Sequence, residues 1–341
     1  MKRRQFLELG LGLGAGAAAS LAGIQAGFGQ QPGDGQKVIY RITYRGRTAV
    51  EEGFDDYLAA NGANVRFIER DANRDTAKLP EFVREIKEMK PDLVYTWGTP
   101  VTLGIAGRYD APDKADYVTK IPIVFALVSA PVQAGIVKST AHPGRNVTGA
   151  VHVVPTETQI RAMESYLPFK KMGVLYTLSE QNSVSIVEEL RALQGKLGFQ
   201  LIERTFRMVD GKPSAEGIPE LLAEIKQEGA EWLYLLPDTF LGTQYKTVVP
   251  AALSLKLPTF GAAELAVREG GALVALVARY YSVGQLAASK ALKILEQGIP
   301  PEDIPIETLK RFSLIINMKV AKELDLYPPI EMLNYAEVLT G

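Results

Sequence analysis

Leu79-Pro80-Glu81-Phe82-Val83-Arg84-Glu85-Ile86-Lys87, running on into Asp92-Leu93-Val94-Tyr95-Thr96-Trp97-Gly98-Thr99-Pro100, reads as a helix, a short connection, a buried strand and a polar turn. The chain carries this unit twice. Ile218-Pro219-Glu220-Leu221-Leu222-Ala223-Glu224-Ile225-Lys226 and Glu231-Trp232-Leu233-Tyr234-Leu235-Leu236-Pro237-Asp238-Thr239 follow 139 residues later. Pro, Glu, Glu, Ile, Lys and Tyr recur at matching places without a gap. Solenoid arrays repeat every 20–50 residues or so, so this spacing predicts two similar α/β lobes instead. The alternative is that unrelated helix–strand units share part of the pattern.

Outward from that unit, strands are expected over 37–44, 65–68, 121–128 and 146–154 in the first half, and over 172–177, 200–203, 257–261 and 271–277 in the second. Helices are expected from Pro100 to about Gly107 and over 156–167, 184–197, 247–255 and 285–297. A last strand and helix, over 308–317 and 318–326, close the pattern. Alternating strands and helices with short loops predict an α/β fold of two doubly wound parallel-sheet lobes. Ligands of such sheets sit beyond the carboxyl ends of the strands. Two lobes facing each other with those ends form a cleft that closes by hinge motion.

Composition narrows the function. At 341 residues, 47% hydrophobic and 23% charged, the chain is globular and long enough for two lobes. Its formal charge of −1 gives no basic surplus for nucleic acid or an anionic membrane. The lack of cysteine removes disulfides, thiolate catalysis and cysteine metal sites together. With only His142 and His152, no metal and no cofactor are expected. Lys2-Arg3-Arg4-Gln5-Phe6-Leu7 is similar to the twin-arginine export signature. Residues 1–29 are therefore expected to be a signal peptide, cut before Gln30 (Ser20-Leu21-Ala22 competes as a cut site), with 30–36 a polar leader. No cysteine follows for a lipid anchor, and no later run reaches the ~18 apolar residues of a membrane span. The expectation is a soluble, exported, periplasmic protein.

The post-strand loops supply the candidate ligand groups. Tyr44, Arg45, Arg47 and Thr48 lie ahead of a helix N-terminus, where free N–H groups favour anions and an arginine can grip a carboxylate. Solvated surface charges are the alternative for the two arginines. Gly98 and Thr99 offer close backbone approach and a hydroxyl, or a plain helix cap. Ser129 follows the fourth strand of the first lobe. The second lobe offers Ser179, Asn182 and Ser183, then Asp238 and Thr239, then Glu264. Trp97, Tyr280 and Tyr281 suit stacking on a flat ligand, or a core. His142 and His152 lack a nucleophile partner and read as structural. There is no Gly-x-Ser-x-Gly elbow, Walker loop or His-Glu-x-x-His motif, so no catalytic residue is expected and the chain does not read as an enzyme.

These residues together resemble a known family. Gly53-Phe54 with Tyr57-Leu58, Asp92-Leu93-Val94-Tyr95 with Gly98-Thr99-Pro100, Pro131-Val132 with Gly135, Asn182-Ser183, Pro258-Thr259-Phe260-Gly261, Tyr280-Tyr281 with Gly284, Lys293-Ile294-Leu295 and Ile316-Asn317 are similar to the ABC transporter substrate-binding proteins whose members take up tryptophan, tyrosine or phenylalanine. The resemblance spans about 37–326. It implies a type I periplasmic binding protein fold with three crossings between lobes, near 149–155, 277–281 and 304–311. Lobe I would then hold 37–152 plus 280–304, lobe II 153–279 plus 305–330, and 331–341 would be a C-terminal tail. It also implies a monomeric receptor for a small solute, with a membrane permease and ATPase as partners.

Three departures bear on the ligand. Ser129-Ala130 stands where similar proteins often have Thr-Asp, Arg279 where an acid precedes the tyrosine pair, and Ala262-Ala263 where Ser-Asp follows Phe-Gly. Losing acids and gaining an arginine disfavours a simple aromatic amino acid, whose ammonium needs acceptors. The expected ligand is a small molecule bearing a carboxylate, held by Arg45 or Arg279, with the added candidate Tyr280 beside it. A sensing receptor with the same cleft, and a periplasmic enzyme, are the alternative functions. A sugar-responsive repressor of this architecture would need an N-terminal pair of DNA-binding helices, where this chain has an export signal.

Overall fold

Both copies of the repeated unit fold as helix and strand, and each occupies the same place in its own sheet. The structure is a computed structural model that describes residues 35–340; the expected signal peptide lies outside the described residues. In the first half, β1 (Lys37–Thr43), α1 (Ala49–Ala60), β2 (Val65–Asp71), α2 (Leu79–Met89), β3 (Leu93–Trp97), α3 (Gly98–Ala106), β4 (Ile123–Val128) and β5 (Val147–Val151) build a parallel sheet of order β2-β1-β3-β4-β5. The second half runs α4 (Thr156–Tyr166), β6 (Lys171–Tyr176), α5 (Gln181–Leu197) and β7 (Gln200–Thr205), then a small hairpin of β8 (Met208–Val209) and β9 (Lys212–Pro213). It continues with α6 (Ile218–Gln227), β10 (Trp232–Leu235), α7 (Thr239–Ser254), β11 (Thr259–Gly261), α8 (Glu264–Arg268) and β12 (Val274–Val277). Its parallel order β7-β6-β10-β11-β12 matches the first sheet strand for strand.

The duplication reaches individual side chains. Helix α2 buries Leu79, Phe82, Val83 and Ile86, and α6 buries Ile218, Leu221, Leu222 and Ile225 at the same four offsets. The second repeated glutamate of each copy pairs with an arginine of the second strand of its lobe: Arg70–Glu85 at 2.7 Å and Arg204–Glu224 at 2.6 Å. The repeated tyrosines are fully buried and each hydroxyl donates to a helix, Tyr95 to Glu51 at 2.5 Å and Tyr234 to Gln159. An unpaired buried hydroxyl would be costly, which makes these bonds part of the core.

After β12 the chain returns as α9 (Tyr280–Leu295), which packs on the first lobe across α1. The two helices cross at glycine. A Cβ on Gly53 would lie 2.0 Å from the Tyr281 carbonyl oxygen, and one on Gly284 would lie 1.9 Å from that of Val50. This close backbone approach explains why glycine stands at both positions. Next come β13 (Glu307–Thr308), β14 (Ser313–Asn317), α10 (Met318–Leu324), α11 (Ile330–Leu333) and β15 (Glu337–Leu339).

The chain thus passes between sheets three times, at 152–155, 278–279 and 309–312. Two assignments need correction. Glu307–Thr308 extends the first sheet beside Ala150 and Val151, so 305–308 does not belong with the second lobe. The expected tail contains β15, which pairs with Ile315–Asn317 at the edge of the second sheet. Helix starts also move: α7 begins at Thr239 instead of 247, and α9 at Tyr280 instead of 285. Asp238 caps α7, accepting from Leu241 N at 2.8 Å. Among the described residues no helix is long and apolar enough to cross a membrane.

Candidate functional site

The carboxyl ends of both sheets meet at one cleft. From the first lobe, β1 ends in Tyr44 and Arg45, β3 in Trp97, and β4 in Leu127 and Ser129. The Tyr44 and Trp97 rings stack with centroids 6.3 Å apart and planes 11° apart. Leu127 has φ +58°, in the left-handed region that bulky side chains rarely adopt, where the β4–β5 register slips. A bulge of this kind redirects a side chain, here into the cleft. Gly98, at φ +77°, turns β3 directly into α3, whose first turn carries no side-chain cap.

Arg45 reaches across the cleft. Its guanidinium lies 5.2 Å from the Trp97 ring centroid, within cation–π range. On the other side a Cβ at Gly242 of α7 would lie 3.0 Å from Arg45 Nη1. Glycine at 242 therefore admits an arginine from the opposite lobe. Among the described residues the Arg45 side chain makes no hydrogen bond and no ion pair.

The second lobe answers with carboxylates, but they are occupied. Asp238 is buried and accepts from Thr177 N at 2.8 Å, Thr177 Oγ1 at 3.1 Å and Leu241 N. Glu180 accepts from Thr239 N at 2.9 Å and Phe240 N at 3.0 Å. The first amides of α7, a natural anion seat, are thus filled by the protein's own acids. Burial, with Asp238 beside it, pushes the Glu180 carboxyl up to about 7, and burial raises Asp238 as well. Burial and the Glu180 carboxylate also raise the Tyr44 phenol, which faces Glu180 from the other lobe.

Between these walls lies a cavity of about 30 Å³, lined by Arg45, Trp97, Gly98, Thr99, Leu127, Ser129, His152, Asn182, Pro237, Asp238, Thr239, Gly242, Tyr245, Ala263 and Tyr280. That is room for one or two waters, so the lobes stand nearly closed. Two buried side-chain atoms in its lining have no hydrogen-bond partner: Trp97 Nε1 and His152 Nδ1. Buried polar atoms are nearly always paired, and orphans mark a place for another group. Burial lowers His152 to about 4, so its imidazole is neutral. Larger depressions of about 790 Å³ around Arg145 and around Arg84 are lined by first-lobe residues alone.

The candidates divide sharply. Arg45, Gly98, Thr99, Ser129, Asn182, Asp238, Thr239 and Tyr280 come together in the cavity, and Thr48 lies at its rim. Tyr44 stands behind Trp97, Ser183 is buried beside Asp238, and Ser179 is exposed. Arg279 and Glu264 are not in the lining. Arg279 pairs with Glu337, and with Glu264 at 3.5 Å; Glu264 also takes Arg268 at 2.7 Å and the Tyr280 amide at 2.5 Å. The extra arginine is therefore neutralised away from the cavity. The α1 N-terminus is likewise closed, by a capping box in which Thr48 accepts from Val50 N and Glu51 from Thr48 N. His152, read as structural, lines the cavity, as do Gly242, Tyr245 and Leu127, which no loop motif signalled.

A family profile decides the relationship: that of the ABC transporter substrate binding protein matches residues 37–339. The chain belongs to this family. Among substrate-binding relatives, a tyrosine-binding protein of Clostridioides difficile is 28% identical over 276 residues, covering 81% of this chain and 75% of the relative. A conserved domain protein from Vibrio cholerae superposes with a TM-score of 0.78 at 27% identity, over 89% of this chain and 99% of the other. An ABC domain from Streptococcus pneumoniae, solved in complex with L-Trp, gives 0.75 at 25% identity, over 88% and 100%. Both solved relatives share the two-lobed type I periplasmic binding fold.

Proposed function

We propose that the protein is the exported receptor of an ABC importer, closing its lobes on a small carboxylate-bearing, amino-acid-like solute and delivering it to a membrane permease driven by an ATPase. One observation carries the ligand class: Arg45 lines the cavity from the first lobe and, among the described residues, has no hydrogen-bond or ion-pair partner. A cation held in a closing cleft is best matched by a carboxylate. The uncapped α3 N-terminus beside Gly98 and Thr99, and the orphaned Trp97 Nε1–H, favour the same group. The stacked Tyr44–Trp97 pair, with Tyr245 and Tyr280, suits a flat apolar portion. The tyrosine named for one relative and the L-Trp held by another agree with this class. An ammonium is less well served: Ala263 lines the cavity where similar proteins often have an acid, and the oxygens of Asp238 are engaged.

A thermal-shift panel of L-tryptophan, indole-3-propionate and tryptamine tests the reading. Stabilisation by the two carboxylates is expected. Stabilisation by tryptamine alone, which lacks the carboxylate, would sink it.

A further inference from the structure

The cavity does not end at Arg45. A second cavity of about 330 Å³ shares Arg45, Gly242 and Tyr245 with the first and opens at the rim between Arg74 of the first lobe and Lys246 of the second. Its charged lining is lopsided. Arg47 is committed to Asp55 at 2.6 Å and Glu69 at 3.2 Å. Arg74 and Lys246, like Arg45, have no ion pair or side-chain hydrogen bond among the described residues, and Glu269 is the one acid in the lining. Three uncommitted cations thus face one carboxylate.

Arg74 is also held in place at some cost. Asn73 and Arg74 both adopt positive φ, +51° and +65°, a conformation that costs non-glycine residues energy and persists where the surroundings enforce it. Here Arg74 N donates to the Tyr44 carbonyl at 2.7 Å, and the Tyr44 hydroxyl donates to the Arg74 carbonyl at 3.4 Å. The residue that stacks on Trp97 in the inner cavity thereby positions the arginine at the rim.

We infer that the solute is a dianion, with one carboxylate in the inner cavity at Arg45 and a second acidic group, carboxylate or phosphate, at the rim between Arg74 and Lys246. The inference rests on the proposed carboxylate at Arg45 and goes beyond it. Closure would bring Lys246 onto an anion already held by the first lobe, so the second charge also favours the closed state. Such pairing is charge-assisted and stronger than a neutral hydrogen bond.

Matched probes test it by calorimetry on the full mature chain: L-phenylalanine against 4-carboxy-L-phenylalanine, and L-tyrosine against O-phospho-L-tyrosine. The probe with two acidic groups in at least one pair is expected to bind about tenfold or more tightly than its partner with one, and the pair that does so distinguishes carboxylate from phosphate. Arg74→Gln with Lys246→Gln should collapse that affinity ratio towards one, while circular dichroism reports an intact fold. Equal binding within both pairs, or a ratio unmoved by the double substitution, would overturn the dianion while leaving the carboxylate reading intact. Binding of none of the four probes would overturn both.

Discussion

At the end of β3 the chain turns through Gly98 into α3 with no side-chain cap on the first turn, whereas at the end of β10 the corresponding turn carries Asp238, and the carboxylates of Asp238 and Glu180 take the first amides of α7. The scaffolds leading to these turns agree down to the buried faces of α2 and α6 and the Arg–Glu pairs that brace them. The difference that bears on a ligand therefore lies at the strand ends. One lobe presents a cation and an open helix terminus; the other presents a helix terminus already neutralised. On the proposed carboxylate reading, an anion entering the cleft is received by the first lobe, and the second closes over it.

The largest test of this asymmetry is Arg45→Ala. Charged hydrogen bonds of this kind contribute about 2 kcal/mol, or roughly thirtyfold in affinity, and calorimetry should show that loss for a carboxylate ligand. Thermal stability should nearly hold, because among the described residues Arg45 has no hydrogen-bond or ion-pair partner to strand and gives up only its contact with the Trp97 ring. Gly242→Val attacks the same contact from the opposite lobe. With even a Cβ only 3.0 Å from Arg45 Nη1, the branched side chain should displace the arginine and weaken binding about tenfold, consistent with an overpacking cost of about 1–3 kcal/mol.

The acid-filled terminus predicts a pH signature. Glu180 titrates near 7 in the fold against 4.5 ordinarily, so the native state keeps a proton that the unfolded chain has released. Stability then falls as pH rises from about 4.5 to about 7. His152 acts in the opposite sense. Held neutral down to about 4, it lowers stability as pH falls through 6.5 towards 4. Glu180→Gln should remove the first slope and leave the second, changing Tm across pH 5–7 by about 2–4 °C relative to the parent; an unchanged profile would argue against the buried carboxylate.

The smallest effect separates the two braces. Glu85 also accepts from the Tyr40 hydroxyl at 2.7 Å, while Glu224 is about half exposed. Glu85→Gln should cost about 1 kcal/mol and Glu224→Gln less than about 0.5 kcal/mol in denaturant unfolding.

The fold was legible because burial repeats at fixed offsets: Leu79, Phe82, Val83 and Ile86 recur as Ile218, Leu221, Leu222 and Ile225, and periodicity reports just such faces. Arg45, Gly98, Thr99, Asp238 and Thr239 were legible because strand ends set where a ligand can sit. Gly242 and Tyr245 were not, since the expected helix began at 247 and ran on across Pro250, whereas α7 already starts at Thr239 and carries both residues. Pro250 is exposed in that helix. Arg279 was misplaced for a long-range reason: its partner Glu337 lies in a strand that the sequence presents as a tail. Pairings across 58 residues leave no local signal.

A crystal structure of the protein with L-tryptophan would locate the ligand carboxylate between the two helix termini. The ligand carboxylate is expected within hydrogen-bond distance of Arg45 and the first turn of α3, with Glu180 and Asp238 still on the amides of α7. A carboxylate bound instead at the α7 N-terminus, with Glu180 displaced, would contradict it.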